Sequence, residues 1–312
     1  MITLDHIYIV MGALFAVVAA LSLRDGANRK RFGNAIFWAL FAASFLFGSH
    51  LSDFANGVLV LALIIVGGFN FMGRTAPATT SPEQRREGAQ RYGNGLFYIA
   101  LIIPLVALIG TLALKNTGLV DPKQVTLISL GIGVIVALVA GYAWMKPPVL
   151  APLQEGRRLA DTISWAAVLP QLLASLGAVF AAGGVGKEIG ILATQYLPLA
   201  TPFAAVATYC IGMALFTIIM GNAFAAFPVM TAAIGLPLVA GRFHGDVTVM
   251  ASLGMLAGYC GTLATPMAAN FNIVPAALLE IPDYAVIRAQ IPTAIPLLVV
   301  NILLMYFLVF RF

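Results

Sequence analysis

The chain has 312 residues, of which 61% are hydrophobic and only 9% are charged. Soluble domains carry roughly 25% charged residues, so the composition excludes an ordinary soluble globular protein and indicates an integral membrane protein. Most apolar stretches run to about 17 to 25 residues, the length of a helix that crosses the hydrocarbon core, and short alternating strands are not seen in the sequence. The predicted fold class is therefore all-α, a polytopic transmembrane helical protein.

The net charge of +5 comes from loops between the apolar segments. Three basic clusters contain Arg24, Arg29, Lys30 and Arg31; Arg74, Arg85, Arg86 and Arg91; and Lys146, Arg157 and Arg158. The connections between these clusters hold few or no basic residues, and this alternation follows the positive-inside rule. We therefore predict a membrane protein with its N-terminus outside the cytoplasm, embedded in the lipid bilayer and without a nucleic-acid partner.

The first half of the chain contains five apolar segments, which predict membrane spans. They cover residues 7–23, 34–51, 57–72, 95–114 and 125–144, and a polar loop with a short surface helix lies between residues 74 and 91. The pair Pro147-Pro148 ends the fifth span because consecutive prolines cannot continue a helix. We predict N-terminal scaffold and oligomerisation helices in residues 1–150 and a transport unit in residues 151–312.

The predicted transport unit opens with an apolar segment over residues 159–182 and a Gly-rich turn that ends at Gly190. The apolar piece that follows, to Leu197, is too short to cross a membrane. This pattern favours a re-entrant helical hairpin, in which two arms enter and leave on the same side. A full span followed by an ordinary loop remains the alternative.

Two later apolar segments, residues 203–239 and 247–279, each contain a cluster of helix-breaking residues in the middle. The first cluster is Gly221-Asn222 with Pro228, and the second runs from Gly261 to Asn270. In hydrocarbon every backbone N–H and C=O needs an internal partner, so a broken helix is tolerated only where it is buried in protein or lines a polar cavity. Paired breaks of this kind are typical of a transporter binding site. A last span is predicted from about residue 292 to 310.

The residues of these breaks are suited to hold a small anion. Thr265-Pro266 has the order of an N-cap followed by the first helical residue, and the free N–H groups of such a half-helix start favour a carboxylate. The predicted substrate-binding residues are Gly221, Asn222, Phe224, Thr262, Thr265, Pro266 and Asn270. The simpler alternative is that the glycines and threonines permit close helix packing and the prolines only kink the helices.

Ion coupling is expected to use neutral oxygens of the unwound segments, which are suitable ligands for Na⁺, or a buried acid that carries H⁺. The candidates are Asn222, Thr265, Asn270, Asn272, Asp161 and Glu188. No other cofactor is expected. The sequence contains no phosphate-binding loop after a strand, no paired His at metal-ligand spacing and no nucleophile elbow, so we predict that the protein is not an enzyme.

The succession of a Gly-rich hairpin (residues 177–190), a Gly-Asn-x-Phe-x-x-x-Pro break (221–228) and a Gly-Thr-x-x-Thr-Pro-x-x-x-Asn break (261–270) resembles one repeat of the ion transporter superfamily. That group includes dicarboxylate and citrate carriers, sodium-proton antiporters and arsenite permeases. The resemblance implies an elevator-type secondary carrier with two inverted repeats, whereas this chain has one set of the motifs. A second copy of the chain or a different membrane subunit would then supply the other half.

Along its whole length the chain also resembles a family of bacterial inner-membrane proteins described as one subunit of a 5-oxoproline (pyroglutamate) transporter. This resemblance implies that the chain takes up a small carboxylated solute together with a second membrane subunit, and it makes 5-oxoproline the expected solute. Two alternatives stay open. The first alternative is a carrier of another small mono- or dicarboxylate, and the second is a non-transporting membrane partner that stabilises a carrier.

Overall fold

The computed structural model describes residues 1–73, 82–279, 281–282 and 284–311. Within these residues the chain is almost entirely helical and contains no β-strand, which confirms the predicted fold class. Eight helical stretches of the described chain are long and apolar enough to cross a membrane. The chain folds as two compact units, Met1–Ser164 and Trp165–Phe312. The roles predicted for the two halves, scaffold and transport unit, stay predictions.

The first unit contains a helix at each of the five predicted spans. Its helices are α1 Leu4–Leu23, α2 Arg31–Phe47, α3 Asp53–Gly68, α4 Pro82–Tyr92, α5 Gly95–Leu114, α6 Val125–Met145 and α7 Ala151–Ile163. Helix α4 is the helix predicted in the polar loop, of which residues 74–81 lie outside the described chain. Helix α6 ends at Met145, and Lys146 adopts a left-handed conformation just before Pro147.

Aromatic packing holds α1 and α2 together. The ring of Phe15 on α1 stacks on Trp38 of α2 with centroids 5.5 Å apart, and it also contacts Phe41. Trp38 and its neighbour Phe37 are almost completely buried. Between membrane helices the stabilisation comes from this close packing of the rings, because lipid is itself apolar and supplies no hydrophobic driving force.

The second unit is built around a central helix. Its helices are α8 Leu169–Ala182, α9 Val185–Tyr196, α10 Pro202–Met220, α11 Ala223–Met230, a π-helical stretch Thr231–Arg242, α12 Val247–Thr262, α13 Ile273–Leu278 and α14 Ala285–Val309. Helix α10 packs against α11, α12 and α14 and carries the fully buried Tyr209 and Met213. The breaks at the ends of α10 and α12 are therefore positioned by one common core.

Helices α8 and α9 form a helical hairpin joined by Gly183-Gly184, at the place predicted for a re-entrant hairpin. Helix α9, with 12 residues, is shorter than the roughly 20 residues of a full span, whereas α8 is the end of a helical stretch, Ala151–Ala182, that is long and apolar enough to cross a membrane, so the alternative of a full span stays open. A Cβ on Gly190 would lie 2.8 Å from the carbonyl oxygen of Ala233, so α9 approaches the π-helical stretch to backbone contact. The depth of the hairpin in a membrane stays a prediction.

Three boundaries differ from the sequence predictions. The segment over residues 159–182 is interrupted, because α7 ends at Ile163 and a 3₁₀ stretch precedes α8. After α11 the chain widens into a π-helix that contains Pro237, a residue without the N–H that an α-helix requires. Helix α14 begins at Ala285, seven residues before the predicted span, because a helix can extend beyond its apolar core into polar sequence such as Arg288.

Candidate functional site

The first break lies between α10 and α11 and has the geometry of a true interruption. Gly221 follows the last residue of α10 with φ at +74°, in the left-handed region that favours glycine. Asn222 is extended and caps α11, since its side-chain oxygen accepts a hydrogen bond from the backbone N–H of Phe224 at 2.7 Å. The prediction of a broken helix at Gly221-Asn222 is confirmed.

The second break is longer than the sequence indicated. Helix α12 ends at Thr262, residues 263–272 form successive turns, and α13 begins at Ile273. The helix therefore resumes seven residues later than the half-helix start predicted at Pro266. The cause is the buried Asn272, whose side-chain nitrogen donates to the carbonyl oxygens of Thr262 at 2.8 Å and Thr265 at 2.6 Å. In a continuing α-helix these two carbonyl oxygens would accept hydrogen bonds from backbone N–H groups four residues later, and here the Asn272 side chain takes the place of those groups.

The two breaks contact each other directly. The hydroxyl of Thr265 donates a hydrogen bond of 2.8 Å to the carbonyl oxygen of Ile218, in the last turn of α10. A Cβ on Gly221 would lie 2.6 Å from the carbonyl oxygen of Met267, so the main chains of the two breaks touch at this point. Sequence positions about 45 residues apart thus form one local structure, as the pairing of the two clusters predicted.

A cavity of about 230 Å³ lies where the two breaks meet α8. Its walls are Leu169 and Leu173 of α8, residues 221–224 of the first break, Tyr259 and Thr262 of α12, and residues 267–271 of the second break. Pockets for drug-sized ligands measure about 300 to 1,000 Å³, so this cavity suits a smaller molecule. None of its lining residues is charged.

Several hydrogen-bonding groups in the cavity wall have no partner among the described residues. They are the side-chain nitrogen of Asn222, the amide of Asn270, the hydroxyl of Tyr259 and the backbone N–H of Ala223 in the first turn of α11. The start of α11 also carries the partial positive charge of a helix N-terminus. The wall therefore offers both hydrogen-bond donors and acceptors, together with the apolar surfaces of Phe224 and Leu173.

The structure brings five of the seven predicted substrate-binding residues to this cavity. Gly221, Asn222, Phe224, Thr262 and Asn270 line it. The other two, Thr265 and Pro266, belong to the second break but do not form its wall: Thr265 is buried against α10, and Pro266 is exposed.

The additional ion-coupling candidates lie in three different surroundings. Asn272 is completely buried behind the second break, and its side-chain oxygen has no hydrogen-bond partner within the described chain. Glu188 is exposed in the first turn of α9. Asp161 belongs to the first unit, where its carboxylate accepts hydrogen bonds from Asn34 at 2.9 Å and from the indole N–H of Trp38 at 3.2 Å. Neither acid is among the lining residues of the cavity.

Sequence reasoning missed Tyr259, Met267 and the two leucines of α8. Tyr259 lies three residues before Thr262, and its ring packs edge-on against Phe224 with centroids 6.3 Å apart. An aromatic residue one helical turn before a Gly-Thr break was the available signal. Leu169 and Leu173 had no signal of their own, because an apolar residue in an apolar helix does not reveal which face meets a cavity.

The helical fold and its apolar stretches define a polytopic membrane protein with discontinuous helices around an uncharged cavity. The chain belongs to the family described as "Protein of unknown function (DUF979)", whose model matches residues 5–310. Searches of curated proteins and of solved structures returned no match.

Proposed function

We propose that this protein is a subunit of a secondary active transporter that takes up a small carboxylated solute by an elevator-like mechanism. The observation that supports it best is the single cavity formed where the two interrupted segments meet. Main chain freed from helical hydrogen bonding in an apolar protein is tolerated where it lines such a cavity, and transporters use it to bind solutes and ions.

The solute we propose first is 5-oxoproline, a compact anion with one carboxylate and one lactam. Its carboxylate would accept hydrogen bonds at the start of α11, from the Ala223 N–H and the free amide nitrogen of Asn222. The lactam would pair with Asn270 or the hydroxyl of Tyr259, and the ring would pack on Phe224. Other small mono- or dicarboxylates meet the same donors, so the chemical class is better supported than the particular solute.

A second membrane chain is part of the proposal. Phe224 is 60% exposed and Met267 is 54% exposed although both line the cavity, so one side of the site is uncovered in the single chain. Exposed apolar side chains alone would suit contact with lipid, but the hydrogen-bonding groups of this cavity would lack partners if the open side faced hydrocarbon, so a covering protein is favoured. We propose that a second, different membrane subunit or a second copy of this chain closes the site.

The proposed driving force is a sodium or proton gradient, with sodium preferred because the breaks supply neutral oxygens. The unpaired side-chain oxygen of Asn272 supports this choice, since a buried amide oxygen without a donor is a ready ligand for a cation. Sodium should then raise the melting temperature of the purified complex above its value in choline chloride at equal ionic strength. An identical melting temperature in the two salts would argue against a sodium site.

Uptake into proteoliposomes tests the transport role. Labelled 5-oxoproline is supplied to vesicles that contain this chain alone, or this chain with its partner subunit, with and without a sodium gradient. Uptake only with both subunits supports a hetero-oligomer, and uptake by this chain alone supports a homo-oligomer. Absence of uptake of 5-oxoproline and of other small carboxylates in both preparations would reject the proposal.

A matched pair of asparagine variants connects the activity to the cavity. Asn222→Ala removes the cap of α11 and an amide from the cavity wall, and we expect uptake to fall at least tenfold. Asn94→Ala changes the same residue type at the N-cap of α5, where the side chain makes no capping bond and lines no part of the cavity. Equal uptake by the two variants in intact complexes would show that transport does not depend on this cavity.

A further inference from the structure

A second cavity with a different chemistry lies in the first unit, beside the polar end of α1. It measures about 440 Å³ and is lined by the end of α1, the residues that follow it and one side of α7. The apolar sequence of α1 ends at Leu23 and Arg24 follows directly, so this end of the helix corresponds to the boundary between hydrocarbon and headgroups. The cavity therefore opens where lipid headgroups lie.

The cavity is lined by three cationic and two anionic side chains, so the cations exceed the anions by one. Its lining residues include Arg24, Arg157 and Arg158 against Asp25 and Glu155. Arg157 pairs with Asp25 at 3.1 Å, and Arg158 pairs with Glu155 at 2.6 Å. The guanidinium of Arg24 has no hydrogen bond or ion pair with any residue that the structure describes. An arginine in a cavity with two further guanidinium groups is suited to a phosphate, which accepts bidentate hydrogen bonds.

An apolar cavity adjoins the basic one along the first turns of α7. It measures about 520 Å³, lies between α5, α6 and the start of α7, and has walls that are almost wholly apolar, such as Ile103, Val134 and Leu138. Ala151 and Glu155 line both cavities, so the first turns of α7 form a common wall. Helix α5 on its far side is one of the most apolar spans, and no residue of its most apolar window is buried.

From these two cavities we infer a binding site for one anionic phospholipid. The phosphate occupies the basic cavity beside Arg24, and an acyl chain lies in the apolar cavity between α5 and α6. A free phosphate would need only the basic cavity. A phospholipid would occupy both cavities, with its headgroup and acyl chain meeting at the residues that the two cavities share. Basic pockets between membrane helices at the headgroup level are known to select anionic lipids.

Native mass spectrometry of the full chain in mild detergent tests the site. The protein is titrated with phosphatidylglycerol, with phosphatidylcholine of the same acyl chains, and with inorganic phosphate. We expect phosphatidylglycerol adducts to exceed phosphatidylcholine adducts and Arg24→Gln to lower the phosphatidylglycerol-bound fraction about fivefold. The control variant Arg29→Gln removes the same charge from the same loop but lines neither cavity, and it should retain binding.

A second variant tests the acyl-chain part of the site. Ala100→Phe adds a ring to the wall of the apolar cavity without changing any charge, and it should lower binding of phosphatidylglycerol and leave Arg24 intact. Retention of both lipids to the same extent would overturn the inference, as would equal losses in Arg24→Gln and Arg29→Gln. Displacement of the lipid by millimolar inorganic phosphate would identify a phosphate site and not a lipid site.

Discussion

The hydroxyl of Thr265 donates a hydrogen bond to the carbonyl oxygen of Ile218 and thereby ties the second break to the end of α10. Thr265 is only 2% exposed, so this bond forms out of contact with solvent. The carbonyl of Ile218 lies in the last turn of α10, where helix carbonyls lack a partner within the helix. A side chain from one break thus supplies a donor that the other break needs.

Replacement of this threonine tests the bonds of its hydroxyl group. Thr265→Val keeps the shape of the side chain but leaves the Ile218 carbonyl without its donor and the Met267 N–H without its acceptor, and we expect a loss of about 1 to 3 kcal/mol in stability. Thr293→Val is the matched control, because its exposed hydroxyl bonds only the carbonyl of Gln290 in its own helix. Thermal unfolding in detergent compares the two variants. Equal melting temperatures would show that the bond between the breaks contributes nothing.

Substitution of Gly221 is a second test of the contact between the two breaks. Gly221→Ala places a Cβ 2.6 Å from the Met267 carbonyl oxygen at a φ of +74°, so both strain and overlap oppose the new side chain. The left-handed conformation costs a non-glycine residue roughly 1 to 2 kcal/mol, and overpacking adds roughly 1 to 3 kcal/mol.

Gly184→Ala isolates the strain from the overlap, because Gly184 has φ at +71° and nothing within 4 Å of its Cβ position. We expect a clearly lower melting temperature for Gly221→Ala than for Gly184→Ala. Equal decreases in melting temperature for the two variants would contradict the overlap of the new Cβ with the Met267 carbonyl oxygen.

Asn272 and Asn270 provide a pair of identical residues in opposite surroundings. Asn272→Asp replaces the amide nitrogen that donates to two carbonyls with a carboxylate oxygen, and it buries an unpaired charge. We expect a loss of about 3 to 5 kcal/mol. Asn270→Asp changes an exposed side chain that makes no hydrogen bond to the described part of the chain, and its stability should stay within about 0.5 kcal/mol of the parent. Thermal stability read by circular dichroism checks both, and a stable Asn272→Asp protein would contradict the packing described for the second break.

Asp161 supports a prediction about the first unit. Asp161→Asn retains an oxygen that can accept from Asn34 and Trp38, so the expected loss is below about 1 kcal/mol. Asp161→Leu leaves the buried indole N–H of Trp38 without an acceptor and should cost about 1 to 3 kcal/mol. In a Trp38→Phe background Asp161→Leu should lower the stability by a smaller amount, because the indole N–H that would lack an acceptor is no longer present. The four melting temperatures form a double-mutant cycle, and a coupling of zero would reject this explanation.

The sequence predicted the spans well because their signal is local. Runs of apolar residues of the right length marked α1, α2, α5 and α6, and the proline pair after Met145 marked the end of α6. Gly221-Asn222 was equally clear, since glycine and a capping residue inside an apolar run have few other uses. These features depend on residues that are close together in the chain.

The second break could be located from the sequence, but its extent could not. The point where the helix resumes depends on Asn272, whose bonds reach back to Thr262 and Thr265, and on a hydrogen bond to α10. The same limit applies to the cavity wall, because Leu169 and Tyr259 become neighbours of the breaks only through packing. Tertiary contacts determine these features, and a local pattern does not contain them.

The contact between Gly221 and the Met267 carbonyl leaves no room for a side chain between the two interruptions. The two breaks are therefore expected to keep their distances from each other when other parts of the second unit rearrange. Under the proposed transport function, access to the solute would then change at the uncovered rim, near Phe224 and Met267. If the proposed function is right, a cross-link across that rim should stop solute uptake into proteoliposomes, whereas a cross-link between the two breaks should have little effect on it.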